Sequence, residues 1–334
     1  MIKKQQFLEA LKVIKSSHNF LLHLHPGPDA DSVGSALALF HYLDSINKSV
    51  TLISGDSPFP YNLSFIPGSE KITKANISDI NLNDFDCFIV ADSGDISQIS
   101  KNTTVVFPKN QNVIVFDHHT SNKGYGKINL IDYDSPATCQ IIYQFFEANK
   151  IKINSEIAAC LIAGIYTDSG GFKYDHTSPE TFLIASKLTK LYPNFSNLIF
   201  EIENNDSPSN LKMIGQLLKD IDVTNHLAIA SVSNKDLKKL KLDNDVSVNG
   251  QIANMLKSVV GWDIGISLTE VEYHKVFASF RTRDSQKYDL GTIAKETGFG
   301  GGHRAAAGAS FPYSITKTKN LIRQVIAKLY PEVL

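Results

Sequence analysis

Short apolar runs alternate with helical patterns through the first half of the chain, the sequence form of a parallel sheet covered by helices. Residues 20–24, 50–53, 87–90 and 113–116 each read as a buried strand. Between the first two, Val33, Leu37, Phe40 and Leu43 recur at helical spacing, which predicts a helix over about 32–45 with Asp31 or Ser32 as its N-cap. The first residues carry a similar stripe in Phe7, Leu8, Leu11 and Ile14. Further on, helices dominate, over about 136–149, 155–167 and 179–191. The first and last of these open on Ser135-Pro136 and Ser178-Pro179, a cap followed by proline at the first helical position.

Residues 192–222 are polar and helical in pattern and read as a connector. A second α/β unit follows, with a strand over 227–232, a helix near 249–258, strands near 264–272 and 275–281, and a terminal helix near 315–329. The expected fold is therefore α/β in two lobes. Residues 1–191 form an N-terminal parallel-sheet domain with helices on both faces, 192–222 a helical connector, and 223–334 a smaller α/β domain. A length of 334 residues fits two domains, since single cores rarely grow past ~250–300 residues.

Composition narrows the class. Apolar residues make up 43% of the chain, ordinary for a packed protein and unlike a disordered or collagen-like one. No apolar run approaches the ~20 residues that cross a bilayer, and the N-terminal segment lacks a signal-peptide core. Cys87, Cys139 and Cys160 sit in apolar stretches at no ligand-like spacing, so they read as buried thiols of a reducing compartment, and the expected location is cytoplasmic. The net charge of −1 argues against coating long nucleic acids. It conceals an asymmetry: residues 221–334 carry +4 and the remainder −5. Of 33 basic residues only Arg281, Arg283, Arg304 and Arg323 are arginines, and three of these lie close together.

Candidate chemistry gathers at the ends of predicted strands. His25-Pro26-Gly27-Pro28-Asp29-Ala30-Asp31 follows the first strand, Asp92 the strand over 87–90, and Asp117-His118-His119 the strand over 113–116. Ligands of open parallel sheets collect beyond the carboxyl ends of the strands. Asp168 ends a nearly all-apolar helix ahead of Ser169-Gly170-Gly171 and adds a further acid. Carboxylates brought this close cannot all ionise without a compensating cation. The expected product is a two-metal site of carboxylates and imidazoles. Taken singly, Asp92 reads as a turn residue and His23 as a core histidine or a support for the site; convergence of four segments favours the metal reading.

These segments resemble the four motifs of the DHH phosphoesterase superfamily, which includes RecJ-type exonucleases and family II pyrophosphatases: His25, Asp29 and Asp31, then Asp92, then Asp117-His118-His119, then Asp168. The run Gly300-Gly301-Gly302-His303-Arg304-Ala305-Ala306-Ala307-Gly308 resembles the glycine-rich motif of the DHHA1 domain. Size and lobe order are most similar to the NrnA group of oligoribonucleases and pAp phosphatases. Gly27 departs from the pattern, standing where many relatives carry Asn. The resemblance implies that His25 and Asp29 hold one metal, that Asp31, His118 and Asp168 hold the other, and that Asp92 bridges them. It also implies that Asp117 orients His118 while His119 contacts the scissile phosphate.

An oxygen-rich site with a few imidazoles and no thiolate suits Mn²⁺ first, with Mg²⁺ or Co²⁺ as alternatives. Two such ions ~3.5–4 Å apart can acidify a bridging water and neutralise phosphoryl charge. Ser93 and Ser169 read as turn residues, so water is the expected nucleophile. Arg281, His303 and Arg304, with Gly301 and Gly302, are the expected receptor for a substrate 5′-phosphate, because glycines admit backbone N–H groups and arginine offers a bidentate fork. Arg283 is left between solvated strand end and anion contact, and Phe172 and Tyr174 between core and base stacking. The expected substrates are short RNA or DNA oligonucleotides, cut from the 5′ end to mononucleotides, or 3′-phosphoadenosine 5′-phosphate (pAp), cut to AMP, with no track for a long strand and no membrane partner. The alternatives are a linear or cyclic dinucleotide phosphodiesterase, an inorganic pyrophosphatase or exopolyphosphatase, and a nucleotide sensor with an inactive site. A processive DNA exonuclease is disfavoured by length. Monomer and homodimer both remain open.

Overall fold

The computed structural model describes residues 2–205, 207–241 and 248–334. They form two compact units, Met1–Asn205 and Asp206–Leu334. The first unit runs α1 (Lys4–Ser16), β1 (Asn19–His23), α2 (Ala30–Ser45), β2 (Ser49–Ile53), β3 (Cys87–Ala91), β4 (Asn112–Asp117), β5 (Ile128–Ile131), α3 (Thr138–Ala148), α4 (Ser155–Asp168), α5 (Pro179–Leu191) and α6 (Phe195–Glu203). Its five strands are all parallel, in the order β2-β1-β3-β4-β5. That order reverses direction between β1 and β3, and such a switch point opens a crevice at the carboxyl edge of the sheet.

Alternate residues of each strand divide between two faces. Phe20, Leu22, Ile89, Ile114 and Phe116 join the helical core with Ile14, Leu37, Phe145, Leu161 and Leu188. Leu21, Phe88, Val90, Val113 and Val115 face the other way and are covered by Ile77, Ile99 and Val105. That second cover consists of loops and short 3₁₀ turns at Ile77–Asp79, Leu82–Asp84 and Ile96–Gln98, so the expected helices on both faces are α-helices on one side and 3₁₀ turns on the other. Helices α2 and α4 pack closely because Gly34 faces the Cys160 carbonyl. A Cβ at Gly164 would lie 2.5 Å from Oδ1 of Asp31, so only glycine leaves room for that carboxylate.

The second unit runs α7 (Pro208–Lys219), β6 (Asp222–Thr224), β7 (Leu227–Val232), α8 (Asn234–Leu240), α9 (Val248–Ser258), β8 (Ile264–Glu272), β9 (Lys275–Thr282), α10 (Leu290–Glu296), β10 (Gly300–Gly302), β11 (Ala306–Phe311) and α11 (Ile315–Leu329). The strand order is β10-β11-β9-β8-β7-β6, with β7 and β8 parallel and the other neighbours antiparallel. Of the stretch read as a connector, α6 falls in the first unit and α7 in the second. None of the described helices is long and apolar enough to cross a membrane.

Candidate metal centre

Strand ends, the start of one helix and the end of another deliver the members of the cluster in the first unit. His25 lies just beyond β1. Asp29 caps α2: its Oδ1 accepts from the backbone N–H of Asp31 and of Ser32, both at 3.0 Å. The helix therefore opens at Ala30, ahead of the expected Asp31 or Ser32 cap, and Asp31 sits buried in its first turn. Asp92 follows β3 in the left-handed region, φ 56°, a conformation Asp tolerates better than most residues. Its N–H is held by the Phe116 carbonyl at 2.9 Å. Asp117 ends β4, and Asp168 ends α4.

Asp92 stands at the centre. Its Oδ2 is 3.5 Å from Nε2 of His25, and its Oδ1 is 3.5 Å from Nε2 of His118. His118 Nε2 also lies 3.1 Å from Oδ2 of Asp168, and His25 Nε2 lies 3.9 Å from Oδ1 of Asp29. Among the described residues, three overlapping sets bring one ligand atom per residue within 4.8 Å of one another: His25, Asp29 and Asp92; Asp31, His118 and Asp168; and Asp92, His118 and His119. Each could hold a metal ion.

The charges are in tension. Burial, together with Asp92 and Asp29, pushes the Asp31 carboxyl well above the usual carboxylate range. Burial and the charges of Asp31, Asp29 and Asp92 raise Asp168 likewise. Burial would raise Asp92 too, but its bond to His25 and the charges of His118, His25 and His119 hold it well below the usual range. Burial works against charge on His25, yet Asp92 and Asp29 raise it to about 9. This is a carboxylate-rich site short of positive charge, the setting that cations fit.

The structure corrects the role expected of Asp117. Its Oδ1 lies 2.7 Å from Nδ1 of His119, and its Oδ2 accepts from Asn122 at 2.6 Å. The Nδ1 of His118 instead meets the Ser135 carbonyl at 3.2 Å. Residues two apart in extended chain share a side, which pairs 117 with 119. The helix expected from Ser135-Pro136 begins at Thr138, with Ala137 at the N-cap and no side-chain cap. Sequence reasoning passed over Thr138, Asn122 and Gly164, all of which touch or make room for the cluster.

His23 is buried, and neither ring nitrogen has a hydrogen-bond partner. Burial and the His25 charge, opposed by Asp56, lower it to about 3, so it is a neutral core histidine packed edge-on against Phe88 at 5.4 Å. Phe172 has φ 65°, stacks on Phe182 at 5.2 Å and packs against the core, while Tyr174 is exposed.

In the second unit, the glycine run forms a strand. Gly300, Gly301 and Gly302 pair with Ala309, Gly308 and Ala307. Side chains at Gly300 or Gly302 would strike β11, whereas Gly301 faces open space. Arg281 pairs with Ala306, which places it at the same end of the sheet as the turn from His303 to Ala306. Arg283 donates to the carbonyls of Lys257, Ser258 and Val259 at 3.0–3.3 Å and so closes the C-terminal end of α9. Arg304 is tied to Ser285 and Gln286 carbonyls and, at 3.0 Å, to Asp289. These bonds take three of the five guanidinium N–H groups.

Residues 19–165 match the DHH family, N-terminal domain, and residues 212–330 match the DHHA1 domain. A protein of Streptococcus mutans named as a probable bifunctional oligoribonuclease and PAP phosphatase NrnA is 27% identical, over 96% of this chain and 97% of that one. The crystal structure of an exopolyphosphatase-related protein from Bacteroides fragilis superposes with a TM-score of 0.90 at 23% identity, covering 100% of this chain and 98% of that one. RecJ of Thermus thermophilus, solved in complex with Mn²⁺, shares the fold at a TM-score of 0.54 and 14% identity, over 98% of this chain and 54% of its own.

Proposed function

Because this chain belongs to the DHH family and carries a DHHA1 domain in its second half, we propose that it is a metal-dependent phosphoesterase. It cuts short oligonucleotides from the 5′ end to 5′-mononucleotides and converts pAp to AMP. The observation that carries this reading is the division of Asp92, one oxygen toward His25 and the other toward His118. A carboxylate so placed suits sharing between two cations, and the names of the NrnA relatives supply the substrate class.

In this reading His25 and Asp29 hold one ion, Asp31, His118 and Asp168 hold the other, and Asp92 is common to both. All-oxygen and imidazole donors favour Mn²⁺, with Mg²⁺ or Co²⁺ as substitutes. Bound there, the ions supply a water nucleophile at neutral pH and neutralise charge on the phosphoryl oxygens. The chain's own groups do the rest. His119 donates its Nδ1–H to Asp117, and although burial opposes charge, Asp117, Asp92 and Asp31 raise it to about 9. In its protonated form, with Nδ1–H held by Asp117, the ring can turn Nε2–H toward a phosphoryl oxygen whose charge grows in the transition state. Ser93 is buried and bonded to the Ala91 carbonyl, and the three cysteines are buried, so neither type is placed to attack.

Arg281, with His303 and the open Gly301, holds the 5′-phosphate; Gly302 shapes the strand, and Arg304 orders the loop carrying Ser285 and Gln286. The buried free cysteines fit a cytoplasmic protein. The test is turnover by the purified chain with Mn²⁺ of pAp, a 5′-phosphorylated dinucleotide, a 24-mer, a cyclic dinucleotide and pyrophosphate. Fastest turnover of the first two is expected. Fastest turnover of pyrophosphate or of the cyclic dinucleotide would overturn the assignment.

A further inference from the structure

Helix α3 starts without a cap of its own, and the groups that satisfy it come from the metal cluster. Ala137 at the N-cap offers no side-chain acceptor, yet the first N–H groups of a buried helix need partners. Thr138 N–H donates to Oδ2 of Asp31 at 2.6 Å, and Cys139 N–H donates to Oδ1 of the same carboxylate at 3.0 Å. The Thr138 hydroxyl donates to Oδ1 of Asp92 at 3.0 Å. Thr138, wholly buried, thus touches two carboxylates that arrive from different strand ends. Asp92 Oδ1 is also the oxygen that faces His118.

We infer that Thr138 is a positioning residue: its hydroxyl and the opening turn of α3 fix Asp92 and Asp31 in the arrangement that binds the ions. This rests on the reading of the cluster as a cation site. Two neighbouring carboxylates repel, and without fixed donors they would turn apart before a cation arrived. The backbone donors hold Asp31 by both oxygens, which sets its plane. The hydroxyl holds one oxygen of Asp92, which sets its rotation and leaves the other toward His25. Such supporting hydrogen bonds orient ligands and raise metal affinity.

The experiment compares Thr138→Val, which keeps the shape and removes the hydroxyl, with Thr138→Ser, which keeps the hydroxyl. Mn²⁺ binding to the full chain is measured by calorimetry, beside hydrolysis of pAp. Thr138→Val should bind Mn²⁺ about 10- to 100-fold more weakly, with activity partly restored by excess Mn²⁺. Thr138→Ser should stay within about threefold of wild type, the conservative variant recovering the supporting bond. Unchanged Mn²⁺ affinity in Thr138→Val, or equal losses in both variants, would overturn the inference. Should Thr138→Val not fold, Thr138→Ala takes its place under the same criteria. If the wild-type chain binds no Mn²⁺, the cation-site reading itself fails and takes this inference with it.

Discussion

Oδ1 of Asp117 lies 2.7 Å from Nδ1 of His119, so this ring is anchored by a carboxylate outside the three sets that could hold an ion. Asp117 is buried and its other oxygen is taken by Asn122, so the ring is fixed in direction. His119→Ala should lower kcat about 10²- to 10³-fold, the cost of one transition-state donor, with KM for Mn²⁺ nearly unchanged. Asp117→Asn should lower kcat about 10- to 100-fold while leaving the His119 ring in place. Steady-state kinetics checks both. A rise in the Mn²⁺ requirement larger than the fall in kcat would make His119 an ion ligand instead.

Metal removal and pH should act together on stability. His25 and His119 are raised to about 9 in the folded protein, against about 6.5 unfolded. Their contribution is complete below about pH 6.5 and is lost as pH rises through 9. The raised Asp31 and Asp168 act with the same sign, losing stability as their carboxyls ionise. Asp92, held low, has the opposite sign and matters only in acid. Metal-free protein should therefore melt at a lower temperature at pH 9 than at pH 6.5. Saturating Mn²⁺ should raise Tm at both and narrow the gap, binding at 100 times Kd being worth about 2.7 kcal/mol. Melting curves in chelator and in Mn²⁺ decide it; a Tm that rises with pH in chelator would count against the charge balance described.

The arginines divide by partner. Arg283 ends on the carbonyls of Lys257, Ser258 and Val259 at the C-terminal end of α9, so Arg283→Ala should cost about 0.5–1 kcal/mol of stability and leave KM unchanged. Arg281→Ala should raise KM for 5′-phosphorylated substrates about 10- to 100-fold, the worth of a charged hydrogen bond, with little loss on substrates lacking that phosphate. Equal losses on both kinds of substrate would remove Arg281 from the phosphate receptor.

The strands that carry the cluster were legible because each is centred on an apolar run, and Cys87–Ala91 and Asn112–Asp117 are buried along nearly their whole length. The acids and histidines were legible because they follow those runs at once, where a parallel sheet presents its carboxyl edge. What escaped depends on partners distant in sequence. Edge strand β5 is half-buried and short, and β10 is three glycines, so neither carries a period to read. Ser135-Pro136 has the form of a helix start, but the start lies at Thr138 because Asp31, 107 residues away, satisfies its first N–H. Arg283 and Arg281 look alike two residues apart, yet one meets carbonyls at the C-terminal end of α9 and the other lies beside Gly250. Local pattern cannot separate them; only the fold does.

The proposed hydrolysis depends on Asp92 being shared by two cations. The most direct measurement titrates Mn²⁺ into the purified chain and into Asp92→Ala, recording ions bound per chain and release of 5′-mononucleotide from a 5′-phosphorylated dinucleotide. Two ions and turnover are expected in the wild type, and fewer ions with hydrolysis abolished in an otherwise folded Asp92→Ala. Retention of most activity by Asp92→Ala, or undiminished wild-type turnover in chelator, would contradict that dependence.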